Sequence, residues 1–198
     1  MFNLVIVDVQ NDFLEGGALG VDGGINAAHN IIKFIDGNYK EIKSLHCTMD
    51  WHPYNHCSFE TQGGTWPKHC MEFTKGACLY SELFNTITKY ARENKAQTKN
   101  YDIYFHTKGT HAQLEEYGAF SYNETDEEQG KVIYGLSREY PVVICGIAGD
   151  YCVLETAKNL IKRGYTVKFF LDGIASIDGG EKLRDFINKE EEKNKLTF

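Results

Sequence analysis

Short apolar runs and amphipathic stripes alternate along this chain of 198 residues. The apolar runs are rich in β-branched and aromatic residues and are continuous rather than alternating, which is typical of strands covered on both faces. Two amphipathic stripes, Ile25–Ile35 and Tyr151–Arg163, predict helices, and Gly164 offers a C-cap for the second. This order predicts an α/β fold, a three-layer, doubly wound and mainly parallel sheet with helices on both faces. The predicted strands are Asn3–Asp8, Ser44–Cys47, Ile103–Phe105, Val142–Cys145 and Val167–Leu171.

The chain is predicted to form one domain over residues 1–198, because no linker or internal repeat divides it. The mixed Lys/Glu run predicts a charged C-terminal tail from about residue 189. The net charge of −7 argues against binding to nucleic acid or to anionic membranes. The sequence shows no targeting pattern and no apolar run of membrane-spanning length, so the expected location is cytoplasmic.

Reactive side chains follow the ends of four predicted strands. Asp8 closes the first strand, and Asp50 and His52 follow the second. Lys108 follows the third strand, and Cys152 comes after the fourth, at the start of a helix. Because open α/β sheets bind ligands beyond the carboxyl ends of their strands, we expect these distant residues to meet at one edge.

Cys152 is the predicted nucleophile. It lies in VVICGIAGDYCVLETA, where a helix start should lower the pKa of the thiol through the helix dipole. A small buried hydrophobe is the alternative, and it suits Cys145, which lies inside the apolar strand. Asp8 is the candidate base and Lys108 the candidate cation. Taken alone, Asp8 could equally cap a loop or pair with Lys108, and Lys108 could be a solvent lysine.

The segment after the second predicted strand offers ligands for a metal. Asp50, His52 and the later His69 supply one carboxylate and two imidazoles, which suit Zn²⁺, with Fe²⁺ or Mn²⁺ as alternatives. Three protein ligands leave positions for water or substrate, as in catalytic sites. His56 and Glu60 are candidate additional ligands, and the sequence does not decide between them.

Five sequence blocks follow one another in a recognisable order. They are IVDVQNDFLEGGALGVDGG, DWHPYNHCSF, WPKHC, the KG of Lys108–Gly109, and CGIAGDYCV. Together, over roughly Phe2–Ser176, they resemble the nicotinamidase/pyrazinamidase branch of the isochorismatase-like cysteine hydrolases. The resemblance implies the isochorismatase-like hydrolase fold. It also implies a catalytic triad of Asp8, Lys108 and Cys152 and a metal held by Asp50, His52 and His69.

The resemblance also implies features of the substrate pocket. The family has a cis peptide bond at the position of Ile147–Ala148, and the backbone N–H groups of Ala148 and Cys152 would form an oxyanion hole. For one of the aromatic residues, Tyr117, an ordinary core position is a real alternative to a pocket role. The residues that match the family's aromatic wall around the substrate ring are Phe13, Trp66 and Tyr117.

The implied function is hydrolysis of nicotinamide to nicotinate and ammonia by a metal-assisted cysteine hydrolase, a step of NAD salvage. Pyrazinamide is a further expected substrate. One alternative is a related hydrolase of small carbamoyl or ureido amides, and another is a catalytically silent zinc-binding interaction module. The expected partner is the small-molecule substrate, and the sequence leaves a homo-oligomer open.

Overall fold

Five parallel strands form one sheet in the order β3-β2-β1-β4-β5 in this computed structural model, which describes residues 1–96, 102–121 and 133–195. The central strand β1 pairs with β2 on one side and with β4 on the other. Each strand overlaps one of the apolar runs, so all five predicted strands are confirmed. Their bounds are β1 Phe2–Val7, β2 Ile42–Asp50, β3 Asp102–Lys108, β4 Val142–Ile147 and β5 Val167–Ala175.

Helices cover both faces of this sheet, as the doubly wound prediction requires. Leu4 and Val5 are neighbours in β1, and both are fully buried. Leu4 belongs to an apolar cluster with Ile31 of α1, whereas Val5 belongs to a second cluster with Leu160 of α3. The continuous apolar run of β1 is explained by this burial on both sides. The helices are α1 Gly24–Asn38, α2 Ser81–Ala96, α3 Leu154–Lys162 and α4 Glu181–Lys195.

The last helix corrects the prediction of a charged tail from about residue 189. Those residues continue α4 as far as Lys195. Leu183 is buried, and Phe186 contacts Phe169 of β5, so one side of α4 packs on the domain. Lys189 and Glu191 are exposed on this helix, whereas Glu190 is half-buried. In the described part of the chain, no helix is both long and apolar enough to cross a membrane.

The strand ends have a backbone suited to a close meeting of side chains. Gly146 in β4 has a φ of 124°, and a Cβ there would lie 2.0 Å from Val7 O of β1. Only glycine therefore allows β4 to approach β1 at this point. Asp8, directly after β1, has a φ of 51°, a conformation that aspartate adopts more often than most residues and that is common at functional sites.

Candidate active site

The ends of three strands and the helical turn after β4 bring four reactive side chains together. Asp50 and Lys108 are register partners at the ends of β2 and β3. Lys108 Nζ lies 2.8 Å from Asp8 Oδ2, contacts Asp50 Oδ1, and lies 3.5 Å from Cys152 Sγ. None of the four residues is more than 6 % exposed. The residues thus meet at one edge of the sheet as expected, while their catalytic roles stay predictions.

The charge states of this group follow from burial and from one shared cation. Burial opposes the charge on Lys108, but Asp50 and Asp8 outweigh it and hold the pKa of the ammonium well above its usual value. Burial also opposes ionisation of Asp50, but Lys108 outweighs it and lowers the pKa of that carboxyl. For Asp8, burial prevails over Lys108 and raises the pKa. Asp8 is therefore the carboxyl that can take up and release a proton.

The environment of Cys152 differs from the sequence prediction. The thiol lies in a short π-helix, Gly149–Val153, that directly precedes α3. Burial raises the pKa of the thiol well above its usual value, and although Lys108 lowers it, Asp8 and Asp50 raise it further. The lowered pKa expected from a helix start is therefore wrong for the protein without a metal, since burial and two carboxylates raise it. With the protein's own charges the thiol is protonated, and attack requires a base.

Two buried polar side chains that the sequence analysis missed fix the carboxylate of Asp8 and the backbone of Asp50. Thr48 Oγ1 donates a hydrogen bond of 2.5 Å to Asp8 Oδ1. The Gln10 amide donates to Asp50 O at 2.7 Å and accepts from Asp50 N at 2.8 Å. Both residues lie in or next to apolar strands, where an unpaired polar group is costly. That placement is the signal that could have identified them.

Three buried donors converge beside this group. A carboxylate oxygen of Asp50 and one ring nitrogen each of His52 and His69 lie within 4.8 Å of one another. His52 Nδ1 donates to Gly109 O at 2.9 Å and His69 Nδ1 donates to Pro67 O at 2.8 Å, so each Nε2 keeps its lone pair. Asp50 Oδ2 faces His52 Nε2 at 3.5 Å. One carboxylate and two imidazoles in this arrangement fit a divalent metal.

The two candidate additional ligands lie outside this group of donors. His56 Nδ1 lies 2.7 Å from the Ser58 hydroxyl, and its Nε2 lies 3.0 Å from Leu114 O, so both ring nitrogens have partners within the protein. Glu60 is exposed in a 3₁₀ turn, Glu60–Gln62. The structure therefore does not bring His56 or Glu60 to the metal-ligand group, and spacing alone could not distinguish a ligand from a hydrogen-bonded histidine.

A pocket opens onto Cys152 and Asp50. Its aromatic wall is held together by a hydrogen bond of 3.0 Å from Trp66 Nε1 to Tyr117 OH. Tyr151, whose role the sequence left open, lies edge-on to Trp66 with ring centroids 5.3 Å apart. All three predicted wall residues line the pocket, and Tyr117 also packs against the second apolar cluster, so its role at the substrate ring stays a prediction. The other lining residues are Phe13, Leu19, Val21, His69, Glu115, Ala148 and Ile177.

Two further residues line the pocket: Ala148, which the sequence predicted, and Glu115, which it did not. Ala148 lines the pocket together with Cys152, and the Ile147–Ala148 peptide bond is cis, as the resemblance implies. The oxyanion hole at their N–H groups stays a prediction. Glu115 was missed, because nothing in a charged loop segment marks it. Burial raises the pKa of this half-buried carboxyl, although His52 acts in the opposite direction.

Comparison with known proteins identifies similar chains along nearly the full length. The family model described as Isochorismatase domain matches residues 3–188. A nicotinamidase/pyrazinamidase of Mycobacterium tuberculosis is 31% identical over 180 residues, which cover 88% of this chain and 86% of that protein. A nicotinamidase of Escherichia coli is 29% identical over 193 residues, which cover 88% of this chain and 83% of that protein.

Solved structures with the same fold include proteins with bound metal or ligand. The pyrazinamidase of Pyrococcus horikoshii in complex with zinc superposes with a TM-score of 0.72 at 29% identity, covering 96% of this chain and 94% of that one. The PnC1 protein of L. infantum in complex with nicotinate superposes with a TM-score of 0.71 at 29% identity, covering 98% and 89%.

Proposed function

The chain belongs to the isochorismatase family, and from this premise we propose that it is a nicotinamidase, which hydrolyses nicotinamide to nicotinate and ammonia and also accepts pyrazinamide. The observation that best supports this proposal is that Lys108 contacts Asp8, Asp50 and Cys152 at the base of an aromatic pocket. A buried thiol, an acid–base carboxyl and a cation within contact distance are the parts that amide hydrolysis by a cysteine requires. Nicotinamide and pyrazinamide, after which the relatives are named, are small, flat amides suited to such a pocket.

The first step is attack by sulfur on the carboxamide carbon. Asp8 takes the proton of the Cys152 thiol, and the raised pKa of this carboxyl makes it a base that can later return the proton. Lys108 favours the thiolate because its ammonium lies 3.5 Å from the sulfur. The backbone N–H groups of Ala148 and Cys152 would hold the oxyanion of the tetrahedral intermediate.

Collapse of this intermediate requires a proton on the leaving nitrogen. Asp8 returns the proton it took from the thiol, so ammonia leaves and a thioester with Cys152 remains. A water molecule then attacks the thioester carbon and gives a proton to Asp8. The C–S bond breaks, Asp8 returns this proton to the Cys152 sulfur, and the acid product loses its carboxyl proton to water and leaves as nicotinate.

The substrate must be held so that its amide faces Cys152. We propose zinc as the metal, held by Asp50, His52 and His69, whose donors fit it. When bound, the metal supplies positive charge and open positions for the ring nitrogen or for water. Trp66 and Tyr117 restrict the ring from the side, and their mutual hydrogen bond fixes the width of the pocket.

Ammonia release from nicotinamide by the purified protein, before and after chelation, tests this proposal. We expect release from the metal-loaded wild type, and none after chelation or from Cys152→Ala. That variant should keep its fold by circular dichroism and its metal content. Turnover by Cys152→Ala would refute the nucleophile. An inactive metal-loaded wild type would refute the substrate and direct the assay to carbamoyl and ureido amides, or to the silent zinc-binding module if those fail.

A further inference from the structure

The partners of the two ring nitrogens of His56 fix its tautomer. The backbone N–H of Ser58 donates to His56 Nδ1 at 3.3 Å, and the Ser58 hydroxyl lies 2.7 Å from the same atom. Because a backbone N–H can only donate, Nδ1 is an acceptor and the ring proton is on Nε2. Nε2 then donates to Leu114 O at 3.0 Å. Neither nitrogen of His56 has a lone pair left for a metal.

The face of the His56 ring lies against the ring of His52. The ring centroids are 4.1 Å apart, and the ring planes differ by 27°. Phe59 packs edge-on against both rings, with centroid distances of 5.7 Å to His52 and 5.8 Å to His56. The edge of His52 is fixed by its bond to Gly109 O, and its face is fixed by His56. This leaves His52 Nε2 directed towards Asp50.

His56 also holds the loop that follows β3. Its Nε2 bonds Leu114 O, and the backbone N–H of the next residue, Cys57, donates to Ala112 O at 2.7 Å. Two consecutive residues, His56 and Cys57, therefore both hydrogen-bond to this loop. Tyr117 lies three residues beyond Leu114 and lines the pocket. The position of this part of the pocket wall therefore depends on the bond from His56.

We propose that His56 is a positioning residue, which joins the metal ligand His52 to the pocket wall at Tyr117 and does not itself bind the metal. The proposal deepens the proposed function and rests on it for the identity of the substrate. The fully buried His56 ring orients His52 by stacking, and it orients the pocket wall at Tyr117 through its hydrogen bond to Leu114. Loss of the hydrogen bond should therefore disturb substrate binding and leave metal binding intact.

His56→Phe separates the two contacts, because it keeps a ring against His52 and removes the donor to Leu114. We expect the zinc content and zinc affinity of the wild type, with a KM for nicotinamide raised about tenfold and a smaller change in kcat. Ser58→Ala is the matched control, since it removes a neighbouring hydroxyl and leaves the bond to Leu114. It should keep the wild-type KM. His56→Gln, whose amide can again donate, should recover part of the loss and serves if the phenylalanine variant does not fold.

Amide hydrogen exchange provides a readout that needs no substrate. Exchange in residues 109–117 should be faster in His56→Phe than in the wild type and unchanged in Ser58→Ala. Weakened zinc binding in His56→Phe, with activity restored by excess zinc, would show that His56 is a ligand and overturn the proposal. Unchanged KM together with unchanged exchange would overturn it as well. A wild type that releases no ammonia would count against the nicotinamidase assignment alone, since the exchange comparison still tests His56.

Discussion

A buried pair of histidines on β2 and β3 should make the stability of this protein sensitive to acid. His46 is fully buried, and its ring stacks on Tyr104 with centroids 4.7 Å apart. Ser44 Oγ donates to Asn3 Oδ1, so it accepts from His46 Nε2 at 3.1 Å. His46 Nδ1 must then accept from His106 Nε2 at 2.9 Å. Both polar atoms of His46 are satisfied only while the ring is neutral.

The magnitude follows from the pKa of His46. Burial lowers this pKa from 6.5 to about 3, and the neighbouring His106 acts in the same direction. Below pH 6.5 the unfolded chain therefore binds a proton that the folded chain does not, so stability falls as pH falls from 6.5 towards 3. Between pH 8 and pH 5 this one residue should remove about 2 kcal/mol from the free energy of unfolding.

His46→Gln tests this number, because an amide can donate to Ser44 and accept from His106 without titrating. Urea unfolding of both proteins, with chelator present throughout, should show that the wild type loses about 2 kcal/mol more than the variant between pH 8 and pH 5. The histidines that do not contact His46 are common to both proteins and cancel in this difference. Equal losses would mean that His46 does not stay neutral in the folded protein, and the reasoning from burial would be refuted.

Three further changes test the active site. Lys108→Met leaves two buried carboxylates without their cation, so it should lower the free energy of unfolding in urea by about 3–5 kcal/mol. It should also lower kcat at least about a hundredfold. Wild-type stability of this variant would contradict the ion pairing. Chelation removes two positive charges from beside the thiol, so it should slow the labelling of Cys152 by iodoacetamide. An unchanged labelling rate would show that the metal does not affect the reactivity of the thiol. Trp66→Phe keeps a ring but loses the hydrogen bond to Tyr117, so KM for nicotinamide should rise about fivefold; an unchanged KM would show that this bond does not shape the pocket.

The sheet and the meeting of the reactive residues could be predicted because both depend on chain order. Parallel strands end at the same edge, so residues that follow apolar runs must approach one another. The helices α2 and α4 carried a weaker signal. Leu83, Ile87 and Tyr90 mark one stripe in α2, but they are separated by polar residues and the helix is mostly hydrophilic. In α4, Leu183 is buried among many charged residues, so the segment suggested a tail.

The protonation and bonding state of individual side chains could not be predicted in the same way. His56 has the same spacing from Asp50 whether it binds a metal or a carbonyl group, and only the positions of Ser58 and Leu114 decide between these. The pKa of Cys152 depends on burial and on two carboxylates from other strands. These quantities are set by three-dimensional neighbours, which local sequence does not specify.

The charge balance of the site links the metal to the reactivity of the thiol. Asp8 and Asp50 share one buried cation, Lys108, so full ionisation leaves one negative charge in excess beside Cys152. That excess opposes a thiolate, and burial alone cannot remove it. The Asp50 oxygen that does not contact Lys108 faces His52, on the side where the metal donors converge. A divalent ion there would make the net charge of the group positive, which favours the thiolate. The donors that hold the metal therefore also help Asp8 to deprotonate Cys152.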